Sequence, residues 1–197
     1  MDGYFMNSVW KIGLFLVLLF LVIRYVFLER CIRWRLRRLA VDLFHVLNET
    51  RVQYWADFGT LLGIHREGDI ILGDNDVDVC LMNVTEQQMH TIGHWMTRLG
   101  YRFRPYLGVS ISLVYSGSVH ADIYHVRRSE DEGDEILGAT GPNSNIPAHL
   151  IGDEQGRYWW ARGGVHVKVP CDVKGTLIWR YGTDYMVPRR DFKGRDP

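Results

Sequence analysis

Cysteine is scarce in this chain and poorly placed for pairing. Cys31, Cys80 and Cys171 are odd in number, lie far apart and include no C-x-x-C pair. Neither a thiolate zinc site nor a disulfide framework is therefore expected. Excess charge is missing too: 23 Lys and Arg balance 23 Asp and Glu, for a formal net charge of zero. That balance removes the bulk electrostatic footprint of a nucleic-acid binder. No internal repeat or low-complexity tract appears. Hydrophobic residues make up 47% and charged residues 23% of the 197 positions, the usage of an ordinary folded domain.

One long apolar run is present, Ile12 to Ile23 (IGLFLVLLFLVI). Extended from Val9 to Leu28, it spans on the order of 30 Å as a helix, the thickness of a bilayer's hydrocarbon core. Lys11 and Arg24 lie near its ends, where long cationic chains can snorkel, and Trp10, Tyr25 and Phe27 occupy interfacial positions. A cleaved signal peptide needs small residues after the run, and the following RYVFLERC offers none. A signal anchor is the expectation, giving a membrane localisation (endomembrane or Golgi-like in a eukaryote). Sidedness stays open. The arginines from Arg24 to Arg38 favour a cytoplasmic domain, whereas the sequons Asn48-Glu49-Thr50 and Asn83-Val84-Thr85 point to a lumen. The arginine run itself is either a topology signal on a solvated helix face or a site for anionic headgroups.

Beyond the run, roughly 160 residues remain, enough for a sizeable core. Leucines and isoleucine at 32, 36, 39, 43 and 47 predict an amphipathic helix over Glu29 to Asn48. Strands are expected at Val52–Ala56, Asp76–Met82, Tyr101–Phe103, Val109–Tyr115, Val119–Val126, Tyr158–Ala161 and Val165–Val169. A short helix or turn is expected at Thr60–His65. Further helices run from the capping box Thr85-Glu86-Gln87-Gln88 to Leu99, and over Val173 to Tyr181. Ser129 to Gly138 is expected to be a solvated loop, continuing through Pro142 and Pro147. The element order is that of an α+β domain. The expected division is an anchor at 1–28, a basic juxtamembrane helix at 29–50, a catalytic domain at 51–190 and a polar tail at 191–197.

The chemistry concentrates in Gly73-Asp74-Asn75-Asp76-Val77-Asp78-Val79. Alternate strand residues share a face, so Asp76 and Asp78 project together while Val77 and Val79 enter the core. Two like charges on a partly buried strand repel and are costly to desolvate, a conflict that a divalent cation resolves. Asp122, in Ala121-Asp122-Ile123-Tyr124, supplies a third carboxylate from another expected strand. Such a site suits Mg²⁺ or Mn²⁺ arriving with a phosphate. Gly59-Thr60 is a small-residue turn able to approach that phosphate closely. Arg66 either binds phosphate with its planar fork or pairs with Glu67 or Asp69. His90 and His94 could share a helix face, but an ordinary helix surface is the simpler account. Tyr158, Trp159 and Trp160 either stack on a ring or pack in a strand, and Asp57 fixes the turn that follows it.

The segment from Tyr54-Trp55-Ala56-Asp57-Phe58-Gly59-Thr60-Leu61-Leu62-Gly63 through Arg66 to Asp74-x-Asp76-x-Asp78 resembles the LicD and fukutin-related family of phosphotransferases. The likeness resumes at Asp122-Ile123-Tyr124, at Lys168-Val169-Pro170, and at Tyr181-Gly182-x-Asp184-Tyr185-x-x-Pro188. The chain departs from the usual pattern at Leu72-Gly73, where the family has Pro-Trp, and at Asn75. The resemblance implies a nucleotidyltransferase-like mixed sheet flanked by helices. It also implies transfer of a phospho-alcohol, such as phosphocholine or ribitol phosphate, from a CDP-linked donor to a glycan hydroxyl. Asp76, Asp78 and Asp122 would be metal-holding and catalytic; Gly59, Thr60, Arg66 and Asp74 would bind substrate. Two other functions remain open: nucleotidyl transfer to a small acceptor, and a non-catalytic membrane scaffold for glycan-modifying enzymes.

Overall fold

The computed structural model describes residues 2–105, 111–129, 135–138 and 145–188, with the backbone alone at 2–10, 12 and 137. Helix α1 runs unbroken from Asp2 to Glu49. Its two halves differ sharply. Leu36, Leu39, Leu43, Phe44 and Leu47 are fully buried and form one wall of the main core, whereas large apolar side chains from Leu14 to Leu28 are exposed. Among the described residues no helix is long and apolar enough to cross a membrane. Part of the expected span, Val9, Trp10 and Ile12, has side chains outside the described residues.

Part of the basic helix face is used for packing, while Arg24, Arg30, Arg35 and Arg38 are exposed. Arg37 donates to both oxygens of the buried Asp69 at 3.2 and 2.6 Å, and Arg33 lies 3.1 Å from the same carboxylate. Arg33 also donates to the Ile70 carbonyl, and Arg35 to that of Ser116. These bonds tie α1 to the loop after the next helix and to a turn of the sheet.

The main sheet is mixed, with path β1-β2-β5-β4-β3. Its strands are β1 (Tyr54–Ala56), β2 (Asp76–Met82), β3 (Arg102–Arg104), β4 (Ile111–Ser116) and β5 (Val119–Arg128). Only β2 and β5 run parallel on this path; the other pairs are antiparallel. Gly117, at φ 64°, turns β4 into β5 in the left-handed region that glycine enters without a Cβ clash. Helix α2 (Phe58–Glu67) links β1 to β2, and α3 (Glu86–Arg98) opens on the expected capping box at Thr85 and Gln88.

Residues 109 and 110 of the expected fourth strand lie outside the described residues, as do 130–134 of the expected acidic loop, Pro142 and the tail from 189. Where that loop re-enters, it is not irregular. Glu135–Leu137 forms β6 against the end of β5, Ile146–Pro147 forms β7 against β6, and Ala148–Ile151 is a short helix, α4. Ile136 and Ile146 are buried there with Trp55, Cys80 and Val126, and this second core fixes segments too short to show periodicity. The chain closes with a separate hairpin, β8 (Gly156–Trp160) and β9 (Val165–Val169), and helix α5 (Val173–Tyr181).

Candidate active site

The alternation of Asp with apolar residues in β2 is realised directly. Val77 and Val79 are fully buried in the core, so Asp76 and Asp78 occupy the opposite face. The parallel pairing with β5 sets Asp76 beside His120 and Asp78 beside Asp122. Three residues from two strands therefore offer ligand atoms within 4.8 Å of one another: Asp76, His120 and Asp122.

Asp78 lies deeper, at 7% exposure. Tyr124 Oη stands 3.3 Å from Asp78 Oδ1, toward which it donates, and 3.5 Å from Asp122 Oδ2, so one hydroxyl spans the two carboxylates. Asp76 thus groups with His120 and Asp122, while Asp78 meets Asp122 through the shared Tyr124 hydroxyl. His120 shares the Asp122 face of β5, two residues earlier, a spacing already visible in His120-Ala121-Asp122.

The site is electrostatically unsatisfied. Burial, followed by the charges of Asp76, Asp122, Asp57 and Asp74, holds the Asp78 carboxyl well above the ordinary carboxylate range. Burial and the charges of Asp76 and Glu67 raise Asp74 to about 6. Asp122 is raised by burial, with His120 opposing and Asp76 reinforcing the shift. Asp122 Oδ1 is buried and has no hydrogen-bond partner among the described residues. Asp76, His120 and Asp122 together offer a donor set chemically able to hold a divalent cation, whose charge would offset the crowding of acids.

The other candidate residues divide between the rim of this cluster and the scaffold around it. Thr60 Oγ1 accepts from the Asp78 N–H at 2.7 Å and is buried, so this hydroxyl braces β2. Gly59, near the start of α2, makes room for charge. A Cβ there would lie 3.2 Å from Asp74 Oδ2 and 3.4 Å from Asp78 Oδ2. Arg66 pairs with Glu67 at 2.8 Å, the structural alternative to phosphate binding. Trp160 is fully buried, and its Nε1 donates to the Gly68 carbonyl. Tyr158 and Trp159 are exposed on the β8–β9 hairpin. His90 is an exposed helix residue 3.7 Å from Glu86.

Asp57 turns out to be more than a turn residue. It caps α2 by accepting from the Phe58 N–H, and it takes Nε and Nη2 of Arg180 at 3.2 and 2.8 Å. The same guanidinium covers the Phe58 ring at 4.3 Å from its centroid. Phe58 adopts φ 45°, a strained value for an aromatic residue, immediately before the glycine that faces the carboxylates. Beside Tyr124 opens a recess lined by Trp55, Phe58, Val126, Ile136 and Ile146, with Arg180 in its wall.

Residues 51–147 match the model of the LicD/FKTN/FKRP nucleotidyltransferase domain. An uncharacterized protein of Rickettsia typhi is 31% identical over 146 residues, covering 74% of this chain and 45% of that one. A second, from Rickettsia prowazekii, is 35% identical over 66 residues, covering 34% of this chain and 25% of that one. The chain therefore spans less than half the length of these curated relatives. Among solved structures, the solution structure of the antibiotic-resistance factor ANT(2'')-Ia aligns with TM-score 0.48 at 14% identity, over 70% of this chain and 66% of that one.

Proposed function

Because the chain belongs to the LicD/FKTN/FKRP family through its nucleotidyltransferase domain, we propose that it is a metal-dependent phosphotransferase acting on a CDP-linked donor. In this proposal it moves a phospho-alcohol or sugar-alcohol phosphate to a glycan hydroxyl. The observation that carries the proposal is the convergence of Asp76, Asp78 and Asp122 from two parallel strands around a buried, unpartnered carboxylate oxygen.

Asp76, Asp78 and Asp122 would hold Mg²⁺ or Mn²⁺. When bound, such an ion neutralises a diphosphate and stabilises the departing nucleotide. Tyr124, spanning Asp78 and Asp122, keeps both carboxylates turned to one side. Asp122 is also the proposed acceptor of the proton from the attacking hydroxyl, since it is the less buried of those two acids. Gly59 leaves the space above Asp74 and Asp78 open to the donor.

The exposed apolar half of α1 supports a second element of the proposal, a membrane anchor. Side chains from Leu14 to Leu28 would contact the bilayer, while Leu36 to Leu47 pack the same helix into the domain core.

Product analysis by mass spectrometry, with CDP-choline and CDP-ribitol as donors and detergent-solubilised full chain, tests the function. Metal-dependent CMP release, with transfer of the alcohol phosphate and loss of both on Asp78→Asn, is expected. Transfer of a nucleoside monophosphate from CTP instead would favour nucleotidyl transfer, and no nucleotide chemistry at all would favour a scaffold.

A further inference from the structure

His120 enters the site although no aspartate motif includes it. It follows Val119 at the start of β5, pairs in register with Asp76, and shares a strand face with Asp122. Its backbone N–H donates to the Asn75 carbonyl at 3.1 Å, which fixes the strand start against the loop that delivers Asp76. The imidazole Nε2 lies 3.6 Å from Asp122 Oδ1. That separation is too long for a hydrogen bond, and Asp122 Oδ1 has no other donor among the described residues. The imidazole is partly exposed, so solvent can reach the gap.

Ligands bound about 2.1 Å from one octahedral ion are about 3.0 Å apart when adjacent and about 4.2 Å apart when opposite. Donor atoms of Asp76, His120 and Asp122 lying within 4.8 Å of one another are close to that spacing.

We infer that His120 is a nitrogen ligand of the cation held by Asp76 and Asp122, and that it biases the site toward Mn²⁺ over Mg²⁺. This rests on the metal-dependent function proposed above and sharpens it to one residue and one selectivity. Magnesium favours oxygen donors and retains its waters, whereas imidazole favours first-row transition ions.

The test uses the full chain in detergent with one equivalent of Mn²⁺, observed by electron spin-echo envelope modulation, which detects ¹⁴N coupled to the ion. Nitrogen coupling is expected in the unmodified protein and in His125→Gln, and is expected to vanish in His120→Gln. Competition between the two cations is expected to show the Mn²⁺ preference falling by roughly tenfold or more in His120→Gln. His120→Asp, which restores a ligand without nitrogen, should recover cation binding with its preference moved toward Mg²⁺. Mn²⁺ bound without nitrogen coupling, or coupling that survives His120→Gln, overturns the assignment but leaves the three-aspartate site standing. Absence of Mn²⁺ binding in the unmodified protein overturns both.

Discussion

Asp57 and Asp78 are the same residue type, almost equally buried, and their strands are joined by a hydrogen bond from the Asp57 N–H to the Asp78 carbonyl. They nevertheless titrate in opposite directions. Burial raises both, but at Asp57 the Arg180 guanidinium and its hydrogen bonds, aided by the Phe58 N–H and the Trp55 indole, win and hold the carboxyl below its usual range. At Asp78 the charges that act on the carboxyl are Asp76, Asp122, Asp57 and Asp74, all acids, and the shift is upward. Burial alone does not identify a functional carboxylate. The sign of its neighbours does, because a satisfied charge is structural and an unsatisfied one awaits a ligand.

Breaking the satisfied member should have the larger effect on folding. Asp57→Ala strands a buried guanidinium and uncaps α2, and is expected to cost about 3–5 kcal/mol in urea denaturation. Adding Arg180→Met to that variant should recover part of the loss, since the orphan charge is then gone. An Asp57→Ala cost below that of an ordinary surface substitution would remove the contrast.

Asp78→Asn should do the reverse. The amide keeps an acceptor for Tyr124 while deleting a repelled charge, so the metal-free variant is expected to gain about 1–2 kcal/mol as it loses activity. Loss of both stability and activity would mean that Asp78 is structural.

Stability against pH sharpens the same comparison at a smaller scale. For Asp57, whose pKa is lowered on folding, the unfolded chain binds more protons, so its contribution is present above the unfolded pKa and fades as pH falls through the folded one. For Asp74, raised to about 6, the folded chain holds the proton longer, and stability declines as pH rises from the usual carboxylate range through about 6. Asp74→Asn should flatten that decline in metal-free protein, modestly, because the group is partly open to solvent. An unchanged profile would argue against the crowding of Asp74 by Asp76 and Glu67.

The carboxylate strand was legible in the sequence because its chemistry and its core share one two-residue period: DVDVCLM announces both faces at once. Asp122 was legible from the same alternation, but its parallel pairing beside Asp78 was not, because strand order is set by contacts distant in sequence. The role of Asp57 was only half visible. Its capping function is local, but its partner Arg180 lies 123 residues away, and no local pattern encodes that bond. His120 carried a signal that could have been read, its place two residues before Asp122 on one strand. The segments at 135–137 and 146–147 were not legible, since strands this short show no period and are fixed by burial of Ile136 and Ile146. Arg33 and Arg37 misled in another way: a basic run beside an apolar one looks solvent- or lipid-facing, yet both reach the buried Asp69.

The most direct measurement is thermal unfolding of the unmodified protein and Asp78→Asn, with and without Mn²⁺ at one common concentration, near 100 times the unmodified protein's dissociation constant. The unmodified protein should gain about 2.7 kcal/mol from the ion, while Asp78→Asn starts more stable and gains far less. Equal ion responses, or none in the unmodified protein, would contradict the claim that these crowded acids exist to bind a cation.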